Sequence, residues 1–273
     1  YDLPKWSYKN VLPYFKKLET WSGGENLYRG GHGPLKVNRS KIDDAFPLFK
    51  SLIKAATEAG YEKFEDSNGF KQDGFGTFDV TIDNGQRQGV SRAYLKEING
   101  YKNLSIEHNT DVSKIIFKEK KAIGVEVKRN NHTEIYYCNK EIILSSGSIN
   151  SPKILQLSGI GDEKVLNHNG IEIINHLPGV GKNLQDHLEI YIQHKSKIKD
   201  TLYNLSTNYF TQAVEGAKWF LLKKGMLTYS HLEVGGFVKT SEKYKHPNIQ
   251  LHFFPSLVIN HGLTNPSFDG FQF

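Results

Sequence analysis

Apolar side chains recur at helical spacing in several stretches of the chain. Val11, Phe15 and Leu18 share one face after Ser7, a good N-cap, with a kink or late start expected at Pro13. Phe49, Leu52, Ile53 and Ala56 form a stripe across residues 44–60, which Gly60 ends. Val90, Ala93, Tyr94 and Leu95 predict a helix within residues 86–100. Phe210, Val214, Ala217 and Leu221 predict another over 208–224. Strict alternation marks residues 104–106, 112–117, 122–127 and 133–138 as strands. The short polar connections 118–121 and 129–132 join the last three into an antiparallel meander. Residues 61–83 read as a long loop with short extended pieces.

The stretch 141–161, EIILSSGSINSPKILQLSGIG, is the most informative. Its apolar run Ile142, Ile143 and Leu144 predicts a buried strand, and Ser145 to Ser148 a small-residue turn. Ser151 is the expected N-cap, with Pro152 at the first helical position, and Ser158 and Gly159 stop the helix. Such a unit lets a phosphate or ribose approach the backbone near free helix N–H groups, although an ordinary strand-to-helix turn has the same local pattern. Beyond it, Asp162 caps a short helix that Gly170 closes. Residues 171–174 and 188–194 read as strands, and 255–273 as loop.

Composition narrows the function classes. The net charge of +6 is spread along the chain with no aromatic platform, which argues against nucleic-acid binding. No apolar run approaches the ~18 residues of a membrane span. Cys138 is the single cysteine, and the histidines show no metal-ligand spacing. Sequons at Asn38, Asn103, Asn131 and Asn204 permit secretion without specifying it. The glycine-rich run YRGGHGPLK has no phosphate-binding spacing, and His32 within it reads as a surface residue. The start at Tyr1 without Met reads as an internal piece of a longer protein or a processed product.

Gly147-Ser148, Ser151-Pro152, Ile154-Leu155 and Ser158-Gly159-Ile160-Gly161 together resemble the second signature of the glucose–methanol–choline (GMC) flavoprotein oxidoreductases, nearest to the insect glucose-dehydrogenase-like branch. The run from His176 to His187, LPGVGKNLQD between them, is also similar to that family, and so are stretches within 225–253. Gly89 stands where the family usually has Ser or Thr. The resemblance implies an α/β (α+β) fold: a partial Rossmann-like FAD-binding domain with a β-meander, plus part of an antiparallel-sheet substrate domain. It divides the chain into a connecting helix (1–20), a substrate-side segment (21–83), the central FAD-binding part (84–182) and the first part of the substrate domain (183–273).

The implied cofactor is FAD. Val112 would meet the adenine through its backbone, and Ser146 and Gly147 would lie along the adenosine half. The implied reaction passes hydride from an alcohol or sugar to the flavin, with a quinone or oxygen as final acceptor. No catalytic residue is assigned, because the resemblance covers only the middle of such a protein, and the isolated chain is expected to be inactive. The alternative is a non-catalytic relative that acts by binding. Asp186 and His187 read as structural, since strand neighbours point apart.

Overall fold

The computed structural model describes residues 2–40, 47–130, 132–199 and 201–273, which divide into two compact units. The sequon Asn131 and residues 44–46 of the helix expected over 44–60 lie outside the described residues. Unit 1 joins Tyr1–Tyr101 to Ile190–Phe273, and unit 2 is Lys102–Glu189.

The first half of unit 1, with elements numbered in chain order, carries α1 (Tyr8–Leu18), β1 (Glu19–Trp21), β2 (Leu35–Arg39), α2 (Pro47–Glu58) and β3 (Gly74–Thr77). It continues through β4 (Asp79–Val80), β5 (Ile82–Asp83), β6 (Gln86–Arg87) and α3 (Lys96–Ile98). Its second half adds β12 (Gln193–Lys195), α6 (Tyr203–Thr207), α7 (Tyr209–Leu222), β13 (Val234–Val238), β14 (Ile249–Phe253) and β15 (Gly270–Gln272). Helix α1 starts directly after Ser7 and runs through Pro13, so there is no late start. Gly60, in the left-handed region, follows α2 as expected. Asn208 caps α7 by accepting the Thr211 N–H at 3.1 Å.

An antiparallel sheet β14–β13–β3 brings both halves of unit 1 together. Phe49 of α2 packs against it with Leu202, Val234 and Phe253, and the Phe49 and Phe253 rings meet edge to face at 5.7 Å. A second cluster is ionic. Arg29 is buried, with Nε and Nη2 on Glu19 and Nη1 on Asp66 (2.9 Å) and Asp79 (2.6 Å). Arg39 joins through Asp79, and the Arg29 guanidinium lies 4.4 Å from the centre of the Trp21 ring. Burial alone would lower the Arg29 pKa, but these carboxylates outweigh it and raise it. The network ties β1, the 62–69 loop and β4 to the glycine-rich run. There, a Cβ on Gly30 would fall 1.8 Å from the Lys16 carbonyl oxygen, and one on Gly33 would fall 2.4 Å from that of Leu18. These glycines serve close packing of backbone on backbone.

Unit 2 contains β7 (Asp111–Lys118), β8 (Lys121–Arg129), β9 (His132–Tyr137), α4 (Gly147–Leu157), β10 (Ile160–Gly161), α5 (Glu163–His168) and β11 (Asn175–His176). The three long strands form the expected antiparallel meander, order β7–β8–β9. Asp162 caps α5, its carboxylate accepting the Lys164 N–H at 3.0 Å.

Several expectations are corrected. Residues 141–144 make no strand: the apolar run is there, but no described strand pairs with it, and a strand exists only through its ladder. The same holds for 104–106. The strand expected over 171–174 does not form; β11, immediately after it, pairs in parallel with β10. Of the 188–194 stretch, Gln193 and His194 fall in β12, whose partner β15 lies in what read as terminal loop, and Ile192 exchanges backbone hydrogen bonds with Phe273. The helix expected from residue 86 begins at Ser91, as a π-helical turn Ser91–Leu95 running into α3, because Gln86–Arg87 pairs back on Ile82–Asp83. Helix α4 starts at Gly147 rather than after Ser151. Ser151 sits inside it and its hydroxyl accepts the Ser146 N–H at 3.0 Å.

Candidate functional site

Two elements of unit 2 frame a groove of about 730 Å³. One side is the start of β7, where Thr110, Asp111 and Val112 lie. A bulge between Val112 and Lys114 breaks the ladder to β8 and leaves Val112 exposed. The other side is the N-terminal half of α4 and the residue before it: Ser146, Asn150, Lys153 and Ile154. Ser146 has no helical backbone of its own and gives α4 no side-chain cap, so the first amides of the helix keep their donors. Lys114 is paired with Glu126 at 3.5 Å across β7 and β8.

The sequence-predicted residues fall as follows. Val112 and Ser146, far apart in the chain, line this one groove. Gly147 lines neither it nor the neighbouring groove of about 540 Å³, which begins at Ser148. It stands between them at φ +83°, with open space where a Cβ would be. The second groove is closed by residues 181–185, held to α4 by the Gln156 Nε2 bond to the Val180 carbonyl at 3.3 Å. Beside it, Lys182 at 2.7 Å and the Lys164 N–H hold the Asp162 carboxyl below its usual range. Asp186 and His187 are fully exposed, their side chains 3.4 Å apart, and His32 is exposed too. Among the described residues no His, Cys, Asp and Glu cluster suits a metal.

Sequence reasoning missed a second site, in unit 1. Glu233 is fully buried just before β13. Its Oε1 accepts the Ser230 N–H at 2.6 Å and the Ser230 hydroxyl at 3.1 Å, while Oε2 accepts no hydrogen bond. Burial pushes its carboxyl up, opposed by the Ser230 donors. The Glu233 carbonyl takes the Phe78 N–H at 2.7 Å, and Phe78 groups with Phe64, Phe237 and His252. Nothing in the local pattern marked Glu233. The nearby Gly235-Gly236 pair was a signal, since a Cβ on Gly235 would lie 2.0 Å from the Leu251 oxygen.

Comparison with known proteins shows the family. The family model for the GMC oxidoreductase N-terminal region matches residues 1–189. The chain belongs to the GMC oxidoreductase family. It is 44% identical over 274 residues to the oxygen-dependent choline dehydrogenase of Staphylococcus xylosus, covering 99% of this chain and 48% of that protein. It is 42% identical over 267 residues to the mitochondrial choline dehydrogenase of Homo sapiens, covering 98% and 44%. The chain thus spans about half the length of the curated relatives it matches. Of solved structures, a Chaetomium thermophilum FAD-dependent oxidoreductase aligns with TM-score 0.77 at 32% identity, over 86% of this chain and 44% of that one. A formate oxidase of Aspergillus oryzae aligns with TM-score 0.87 over 98% and 52%; at 23% identity it shows the fold alone. The mixed α/β fold and FAD as the cofactor of the family follow, while none of these relatives is a glucose dehydrogenase. The groove offers this GMC chain exposed backbone at Val112 and unspent amides at the start of α4, which are chemically compatible with an adenosine group.

Proposed function

We propose that this GMC chain holds the adenosine half of FAD in the groove between Val112 and the Ser146–Gly147 turn, as part of an enzyme oxidising a small cationic alcohol of the choline type. The observation carrying the cofactor half is that Val112 and Ser146 line one groove. Backbone at Val112 and the free amides of α4 would hold and orient the adenosine, a role that leaves the Val112 side chain free. Bound flavin accepts the hydride of the alcohol; the residues here supply binding and orientation.

Glu233 supports the substrate half. A buried carboxylate with one unpaired oxygen is costly unless it takes up a proton, toward which burial already pushes this one, or meets a cation. A quaternary ammonium group supplies that charge. A sugar offers no such charge, so the choline-type reading displaces the glucose one. The final electron acceptor is a quinone or oxygen.

The test uses the whole protein that carries this chain. Glu233→Gln should raise KM for choline by about a hundredfold, in keeping with loss of a buried charge partner. KM for an uncharged alcohol of similar size should stay within about threefold. Equal effects on both alcohols would rule out Glu233 as the charge partner. Residues 1–273 alone, with FAD and an artificial electron acceptor, should bind the cofactor without turning over choline. Robust turnover would contradict the expected inactivity, and binding without turnover by the whole protein would favour a non-catalytic relative.

A further inference from the structure

Among the described residues of unit 2, Ser158 is the buried polar side chain. It ends α4, and its hydroxyl has two partners. The Oγ donates to the Ile154 carbonyl at 2.5 Å and accepts the Ile115 N–H at 2.8 Å. Ile154 belongs to α4 and lines the groove, while Ile115 lies on β7 beyond the bulge that exposes Val112. Strand β7 is an edge of the described sheet, so the Ile115 amide has no further strand to bond and would otherwise be buried unpaired. One hydroxyl thus joins the two elements whose near ends are the walls of the groove.

We propose that Ser158 is a positioning residue of the cofactor groove: clamped between α4 and β7, its hydroxyl fixes the spacing between Val112 and the Ser146–Gly147 turn, and so the fit of an adenosine group. The inference rests on reading that groove as the adenosine site. Helix–strand packing alone, through Ile115 and Ile154, is non-directional and lets α4 slide along β7. A hydrogen bond at each side of one atom fixes the register. Ser158→Ala keeps the packing but strands the Ile115 N–H, whereas Ser158→Thr keeps the hydroxyl.

The experiment compares wild type, Ser158→Ala and Ser158→Thr in the full chain by amide hydrogen exchange, by binding of FAD and of ADP, and by urea unfolding. The expected result for Ser158→Ala is faster exchange at residues 112–116 and 146–150 together, by about tenfold, equivalent to ~1.4 kcal/mol. The β8–β9 ladder should be unchanged, and FAD and ADP should bind about tenfold more weakly. Ser158→Thr should restore binding to within about twofold, which a general loss of stability would not.

Faster exchange confined to residues 154–161, or unchanged FAD binding in Ser158→Ala beside a wild type that binds, overturns the role of Ser158 and leaves the groove reading standing. If wild type binds neither FAD nor ADP, the adenosine reading itself fails, and the claim on fit falls with it. Should Ser158→Ala not fold, Ser158→Cys replaces it. The weak thiol donor should give an intermediate loss, and wild-type affinity there overturns the proposal.

Discussion

The two units treat their polar groups in opposite ways. Unit 1 buries charged groups: Arg29, Glu215 and Glu233 are buried, and these three engage named partners except at one oxygen of Glu233. For Glu215, burial pushes the carboxyl up, but Lys218 and the Met226 N–H outweigh it and hold it low. Unit 2 buries Ser158 and leaves the donors at the start of α4 open beside its groove. The glycine-rich run and the turn at Gly147 also differ. Gly30 and Gly33 are wedged against backbone, whereas Gly147 faces space. Glycine composition is thus a poor guide to ligand binding until it is known what stands over the Cα. A wedged glycine belongs to packing, whereas an open one at positive φ can end a helix, as Gly60 does, or leave room for a ligand.

The strongest way to break this contrast is at Arg29. Arg29→Met should cost unit 1 about 3–5 kcal/mol, since it leaves three carboxylates around a vanished charge. All three tryptophans lie in unit 1, so tryptophan fluorescence in urea reads that unit alone. Next is Gly30→Ala, expected to destabilise by about 2–3 kcal/mol because its Cβ meets a carbonyl oxygen that cannot move freely. A change below about 0.5 kcal/mol would show that the loop adjusts and that wedging is not the reason for the glycine.

Acid gives the third. Burial lowers the His231 pKa from 6.5 to about 4, so the folded protein holds it neutral while the unfolded chain takes a proton. Stability of unit 1 should therefore be intact above about pH 6.5 and fall by roughly 2–3 kcal/mol as pH drops toward 4. His231 has φ +68°, which Asn also tolerates, so His231→Asn is the control that should flatten this part of the profile. An unchanged acid slope in that variant would remove His231 as the cause.

The smallest effect on stability, and the sharpest on the comparison, is Gly147→Ala. Backbone strain at φ +83° should cost about 1 kcal/mol. FAD affinity should fall by more, at least about tenfold or ~1.4 kcal/mol, because strain at Gly147 displaces the adjoining Ser146, which lines the groove. Equal losses in folding and binding would make Gly147 an ordinary turn residue.

Legibility followed how local the cause was. Helix α7, the stop at Gly60 after α2, the Asp162 cap and the meander could all be read, because side-chain period and capping chemistry are properties of neighbours in sequence. The start of α4 was misplaced because Ser151 has the composition of a cap, yet its hydroxyl turns back to Ser146 from inside the helix. Residues 141–144 and 171–174 carried strand-like apolar runs without acquiring the pairing that would make them strands. The signature around Gly147 identified the family, since many fixed positions coincide there.

By itself, then, the sequence determined the periodic elements and the family. These depend on interactions within a few residues, or on a pattern that survives without coordinates. Only the tertiary structure decided that Val112 and Ser146 share a groove, that Ser158 bridges its walls, that Gly30 is wedged and that Glu233 is buried with an oxygen unpaired. The physical reason is that burial and close approach are set by whichever distant segment folds against a residue, and no local pattern records which segment that is.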